Sequence, residues 1–110
     1  TRLPRAVALE LALVGDALPA ARLAEVGLVN AVVPRGQALE HALDLAHRIA
    51  ANAPVSVAVG KRMVDAAPGW SPDEGFARQS ELASPVLLSD DAREGVAAFA
   101  QKRPPVWTGR

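Results

Sequence analysis

The chain has no cysteine, which excludes a disulfide framework and thiol chemistry and fits a cytoplasmic protein. An excess of one charge is missing too: 12 basic and 12 acidic side chains leave a formal net charge of zero. Nothing therefore draws the chain broadly to nucleic acid or to an anionic membrane. No apolar run approaches the roughly 20 residues that a membrane-crossing helix needs. The opening Thr1-Arg2-Leu3-Pro4-Arg5 has no secretory pattern and no initiator Met, so the chain is expected to begin inside a longer gene product. Internal repeats, low-complexity linkers and the glycine spacing of a phosphate-cradling loop are all absent.

What is present is apolar. Hydrophobic residues make up 50% of 110 positions and charged residues only 22%, with a mean hydropathy of +0.13. A chain this short buries only about two thirds of its unfolded surface even when it folds alone. Some helical faces are therefore expected to meet the rest of a subunit, or another subunit.

Proline and glycine divide the chain into short helices. Pro4 can open a helix that Gly15 stops, and Pro19 can open a second through Val26, with Gly27 just past its end. The segment Leu28 to Pro34 is β-branched and ends at proline, which predicts a short strand or extended segment at an edge. From Gln37 to Asn52, Leu39, Ala42, Leu43, Ala46, Ile49 and Ala50 form one apolar stripe. Val55 to Val59 has strand propensity, but the run continues without a turn signal, so a helix from Pro54 to about Ala67 is expected. Ser71-Pro72-Asp73-Glu74 has the pattern of a capping box. Pro85 predicts a kink or break near Ser84. Ser89-Asp90-Asp91 can cap a last helix that Pro104-Pro105 stops, with Val96, Phe99, Ala100 and Arg103 on one face.

No constellation of catalytic or metal-ligating residues stands out. His41 and His47 are six positions apart and so point about 120° apart around a helix, which suits surface histidines and not a metal pair. Glu40 and Asp44 are like charges one turn apart, as expected of a solvated face. Lys61-Arg62 is a lone basic pair, too small for a nucleic-acid footprint. Trp70 and Trp107 stand beside prolines in connecting segments, where each could cover a packing surface.

Four segments, in order, resemble the C-terminal part of the enoyl-CoA hydratase/isomerase (crotonase) superfamily. They are Leu3-Pro4-Arg5-Ala6; Gly15-Asp16 with Glu25 to Asn30 and Val32-Val33-Pro34; Ala53-Pro54 leading to Lys61; and Ser89 to Gly95 with Ala98-Phe99, Lys102-Arg103-Pro104 and Trp107-Thr108-Gly109. The resemblance implies a mainly α region of an α/β crotonase-like fold with one short strand or extended segment. Residues 1–34 would end the α/β core and residues 35–110 would form a helical trimerisation region. It implies acyl-CoA processing in fatty-acid metabolism, foremost enoyl-CoA hydratase (lyase) activity. The alternatives are isomerase or another crotonase-type activity, or a non-catalytic helical oligomerisation module. A nucleotide-binding regulatory domain would rest on Phe99 and Lys102 alone.

In that family an oxyanion hole holds the thioester oxygen and, in hydratases, two glutamates handle water and proton. All of these lie in the upstream core, so the resemblance carries no catalytic residue onto this chain. Glu10, Glu25, Glu40, Glu74, Glu81 and Glu94 match neither glutamate. The implied partners are that core, two further copies in a homo-trimer or a dimer of trimers, and acyl-CoA as substrate; no permanently bound cofactor, metal, nucleic acid or membrane is implied. Phe99 and Lys102 match positions that contact the coenzyme A nucleotide of a neighbouring subunit. Phe99 also sits on an apolar stripe and Lys102 at a helix end, where packing and the helix dipole would favour them without a ligand. Arg103 reads as structural or solvated. The chain departs from the family at Pro19, where a Ser or Thr cap worth about 1 kcal/mol is usual, and at Pro85.

Overall fold

The computed structural model describes residues 3–110. Among these, six α-helices succeed one another: α1 (Arg5–Val14), α2 (Ala20–Glu25), α3 (Ala38–Ala50), α4 (Pro54–Ala66), α5 (Pro72–Leu87) and α6 (Asp90–Gln101). A 3-10 turn, Ala67–Gly69, comes after α4. The chain packs as two compact units, Thr1–Asp44 and Leu45–Arg110, divided within α3.

In the first unit α1 and α2 start directly after Pro4 and Pro19, with no side-chain cap at either start. Val7 is its buried apolar residue. The expected strand is not formed, and no β-strand exists among the described residues. The reason lies in the turn that closes α2. Gly27 takes φ +78°, its N–H donates to the Ala24 carbonyl at 3.0 Å, and the Leu28 N–H donates to Leu23 at 2.8 Å. This is a Schellman closure, which turns the first residues of the would-be strand back onto the helix. The β-branched residues beyond it have no second extended segment to pair with, and a strand needs a partner's ladder. The fold of the described residues is therefore all α.

The second unit is better tied together. α4 packs along α5, and α5 meets α6. Val55 to Val59 is helical, despite its strand propensity, because Pro54 occupies the first helical position and the Val57 N–H donates to the Ala53 carbonyl at 3.0 Å. The capping box is present: the Glu74 N–H donates to Ser71 Oγ at 3.3 Å, and the Ser71 N–H donates to Glu74 Oε2 at 3.4 Å. Arg78 and Ser71 together hold the Glu74 carboxyl at about 2. Of the kink or break expected near Ser84, the break does not occur. α5 runs through it to Leu87, because Pro85 removes only the bond to Glu81 while the Leu88 N–H still reaches the Ser84 carbonyl at 3.2 Å.

Apolar burial within the described chain is slight. Among the described residues, only Val7, Ala53 and Ala98 are buried hydrophobic residues. Phe76 is 81% exposed and Leu87, Leu88 and Val96 are each above 70%, so the outer faces of α5 and α6 are left uncovered. Apolar side chains clustered on the surface in this way suit packing against something else.

Candidate functional site

The second unit is organised around α6. Ser89 caps it, accepting from the Ala92 N–H at 3.0 Å, and Asp90 and Asp91 place negative charge at its positive end. Asp91 does more than suit the dipole. It is 2% exposed, and its carboxylate accepts from the Thr108 N–H at 2.6 Å, the Thr108 hydroxyl at 3.1 Å and the Gly109 N–H at 3.0 Å. The Asp91 N–H in turn donates to the Arg110 carbonyl at 3.0 Å. One turn along, Glu94 accepts from both terminal nitrogens of Arg103, at 2.6 and 2.8 Å, and from the Val106 N–H at 2.8 Å.

Two carboxylates on one face of α6 thus strap the tail, residues 103–110, back along the helix that precedes it. Trp107 completes the strap: its ring lies against Gly95, where a Cβ would sit 3.4 Å from the indole, and its Nε1–H donates to the Ala51 carbonyl at 2.8 Å. Gly109 has φ +75°, a left-handed angle that glycine adopts without strain, where the tail passes Pro54.

The strap has a pH signature. The Arg103 guanidinium and then the Val106 N–H bring Glu94 down from an ordinary 4.5 to about 2. The Thr108 N–H above all holds Asp91 below its usual range, against the cost of desolvation. Carboxylates with depressed values stabilise the fold fully above their unfolded range and lose that contribution as pH falls through the folded values. Acidification from about 4.5 towards about 2 should therefore release the tail. In a Trp70→Phe background, the emission of Trp107 should shift over that window, and Glu94→Gln should flatten the transition. A flat signal in the unaltered strap would disprove the linkage.

At the other end of α6, Phe99 is 87% exposed. It is not packed into this chain, although its helical stripe alone would have suited a core. Lys102 is the C-terminal cap, and its N–H donates to the Phe99 carbonyl at 3.2 Å. The structure thus joins the two expected site residues at one helix end. Lys102 has φ 52° and ψ 39°, the one positive-φ residue other than glycine among those described. The left-handed conformation costs an ordinary residue roughly 1–2 kcal/mol. Its neighbour Arg103 donates its N–H to the Ala98 carbonyl at 3.1 Å, so a Schellman closure forms with lysine where glycine is usual.

The remaining expectations are simply placed. His41, Glu40 and Asp44 share an open polar face of α3 with Gln37. Among the described residues no group of three or more His, Asp or Glu is placed to hold a metal ion. Lys61 forms an ion pair with Asp65, so the lone basic pair is partly neutralised. No helix among the described residues is long and apolar enough to cross a membrane.

The family profile described as enoyl-CoA hydratase/isomerase matches residues 1–110. The chain belongs to that family. An enoyl-CoA hydratase of Mycobacterium tuberculosis is 40% identical over 109 residues, covering 99% of this chain and 41% of that protein. A carnitinyl-CoA dehydratase of Salmonella typhi is 37% identical over 112 residues, covering 98% and 43%. Among solved structures, an enoyl-CoA hydratase from Mycobacterium tuberculosis superposes with a TM-score of 0.95 at 50% identity, covering 99% of this chain and 43% of that one. A second, from Mycobacterium marinum, gives 0.94 at 49% identity with the same coverage. The chain spans about two fifths of the length of these relatives, and corresponds to a C-terminal-type region of enoyl-CoA hydratase/isomerase enzymes.

Asp91 and Glu94 escaped the sequence reading as tail anchors. Asp91 was legible only as a helix-start charge, and Glu94 only as an acid outside the catalytic pair. The available signal was their spacing of three on a helix, with Thr108-Gly109 supplying donors just beyond Pro104-Pro105.

Proposed function

We propose that this chain is the C-terminal helical part of an acyl-CoA-processing enzyme, foremost an enoyl-CoA hydratase that adds water reversibly to a 2-enoyl-CoA thioester. The thioester chemistry belongs to an upstream α/β core. This region packs subunits, as a trimer or a dimer of trimers, and supplies Phe99 and Lys102 to the coenzyme A site. The cysteine-free composition fits a cytoplasmic setting.

The observation that carries the reading is the end of α6, where an apolar ring left 87% exposed stands next to a cation. A planar ring can lie against adenine, and an ammonium can meet a phosphate. The uncovered faces of α5 and α6 supply apolar area for packing against other copies.

The test uses the full-length protein of the parent gene. Light scattering should give a trimer or hexamer, and a crotonyl-CoA-like substrate should be hydrated, seen as loss of its enoyl absorbance. A monomer would overturn the packing role. A stable trimer with no turnover would favour the oligomerisation-module reading, and double-bond migration without hydration would favour an isomerase.

A further inference from the structure

We propose that the Glu94–Arg103 clamp is a positioning device for Lys102, holding the end of α6 in a left-handed turn that keeps the ammonium presented to the phosphates of a coenzyme A thioester. The proposal rests on the reading above that Lys102 meets coenzyme A.

Three observations support it. First, residue 102 occupies a glycine position but is not glycine. A lysine keeps left-handed angles only where the surrounding structure over-determines them, and such outliers concentrate where a side chain is needed. Second, the surroundings do over-determine it. The Lys102 N–H is bonded to Phe99, and the Arg103 N–H to Ala98. The Arg103 guanidinium is gripped by Glu94 through two nitrogens, and also donates to Gln101 Oε1 at 2.7 Å and to the Pro104 carbonyl at 3.1 Å. The same Glu94 carboxylate holds the Val106 N–H, so the chain is fixed both entering and leaving the turn. Third, the clamp uses up the charge of Arg103, while the Lys102 ammonium makes no ion pair among the described residues. Two adjacent cations thus have separate tasks: one fixes the backbone, the other faces outwards.

Lys102 would act on the ligand directly, and Glu94 and Arg103 only through it. The bidentate fork matters, because arginine's rigid donors set direction as well as distance. Replacing it with a lysine keeps charge and loses that geometry.

The test is a double-mutant cycle in the full-length enzyme with Glu94→Gln, Lys102→Ala and the pair, each checked for folding by circular dichroism. Glu94→Gln should raise KM for the acyl-CoA about threefold with the loss in KM and not in kcat, and should add nothing when Lys102 is already alanine. Arg103→Lys should reproduce the KM rise, which covers the case that Glu94→Gln does not fold. A separate readout needs no substrate: Lys102→Gly should melt a few degrees (roughly 3–5 °C) above Lys102→Ala, since glycine accepts this φ without strain. Additive KM effects, or an unchanged KM in both clamp variants while Lys102→Ala raises it, would overturn the positioning role. Equal melting of the glycine and alanine variants would do the same. An unchanged KM in Lys102→Ala would instead overturn the coenzyme A reading beneath it.

Discussion

Replacing Lys102 by alanine in the full-length protein should weaken binding of a coenzyme A thioester by about tenfold at low ionic strength. A charge-assisted hydrogen bond to phosphate contributes about 1.5–3 kcal/mol, and tenfold corresponds to about 1.4 kcal/mol. The lower end applies because Lys102 is exposed and water screens it. The helix offers no substitute. Lys102 stands at a helix C-terminus, where the backbone carbonyls repel an anion, so the side chain has to supply the attraction alone. Calorimetry at low and high salt checks this: the difference between the two proteins should shrink as salt rises. Equal affinities at low salt would remove Lys102 from the site. Phe99 would then stand alone, and an exposed apolar ring is better explained by packing against another copy.

Replacing Asp91 by alanine should free the tail. The Thr108 and Gly109 N–H groups and the Thr108 hydroxyl all donate to this one carboxylate, and it is buried beneath them. With the acceptor gone, the far end of the tail keeps the Trp107 bond to Ala51, the Trp107 packing on Gly95 and the bond from the 91 N–H to Arg110, while Glu94 still holds its near end. Amide exchange at Thr108 and Gly109 should quicken by roughly tenfold or more, as expected when local opening no longer has to break a bonded network. Chymotrypsin should also cut after Trp107, a bond otherwise pinned against α6. Asp91→Asn, which keeps an oxygen but no charge, should fall between the two. Unchanged exchange at both amides would show that the tail is held by something other than Asp91. This substitution and Glu94→Gln separate the two anchors: Asp91 holds the far end of the tail, whereas Glu94 holds the turn beside Lys102.

Helix boundaries were legible because their causes are local. Proline at a first position, a serine accepting from the third amide, and a glycine past the last turn each act within a few residues, and Pro54, Ser71 and Gly27 all behave so. The segment after Gly27, expected as a short strand or extended segment, forms no strand for the opposite reason. Its β-branched residues carry the right propensity, but pairing needs a second strand, and composition cannot say whether one is within reach. At Pro85 a local rule overreached: one lost bond near the end of a 16-residue helix does not end it when the next amides still close their turns.

As candidates for the site, Phe99 and Lys102 come from family resemblance, and their spacing of three puts them at one helix end. The left-handed backbone at Lys102 was not foreseen, since lysine is an ordinary residue for a last helical turn and a poor one for the position after it. Nor was the clamp, because Glu94 and Arg103 are nine residues apart and meet only once the chain has turned back at the end of α6.

By itself, then, the sequence determined where helices begin and end, and that their faces carry more apolar area than the chain can bury, since both depend on neighbours along the chain. Tertiary structure decided which acids are committed to the tail, which cation is left facing outwards, and that no strand forms among the described residues. Those outcomes depend on groups far apart in sequence arriving at hydrogen-bonding distance, and the free energy of such a meeting is written in no single segment.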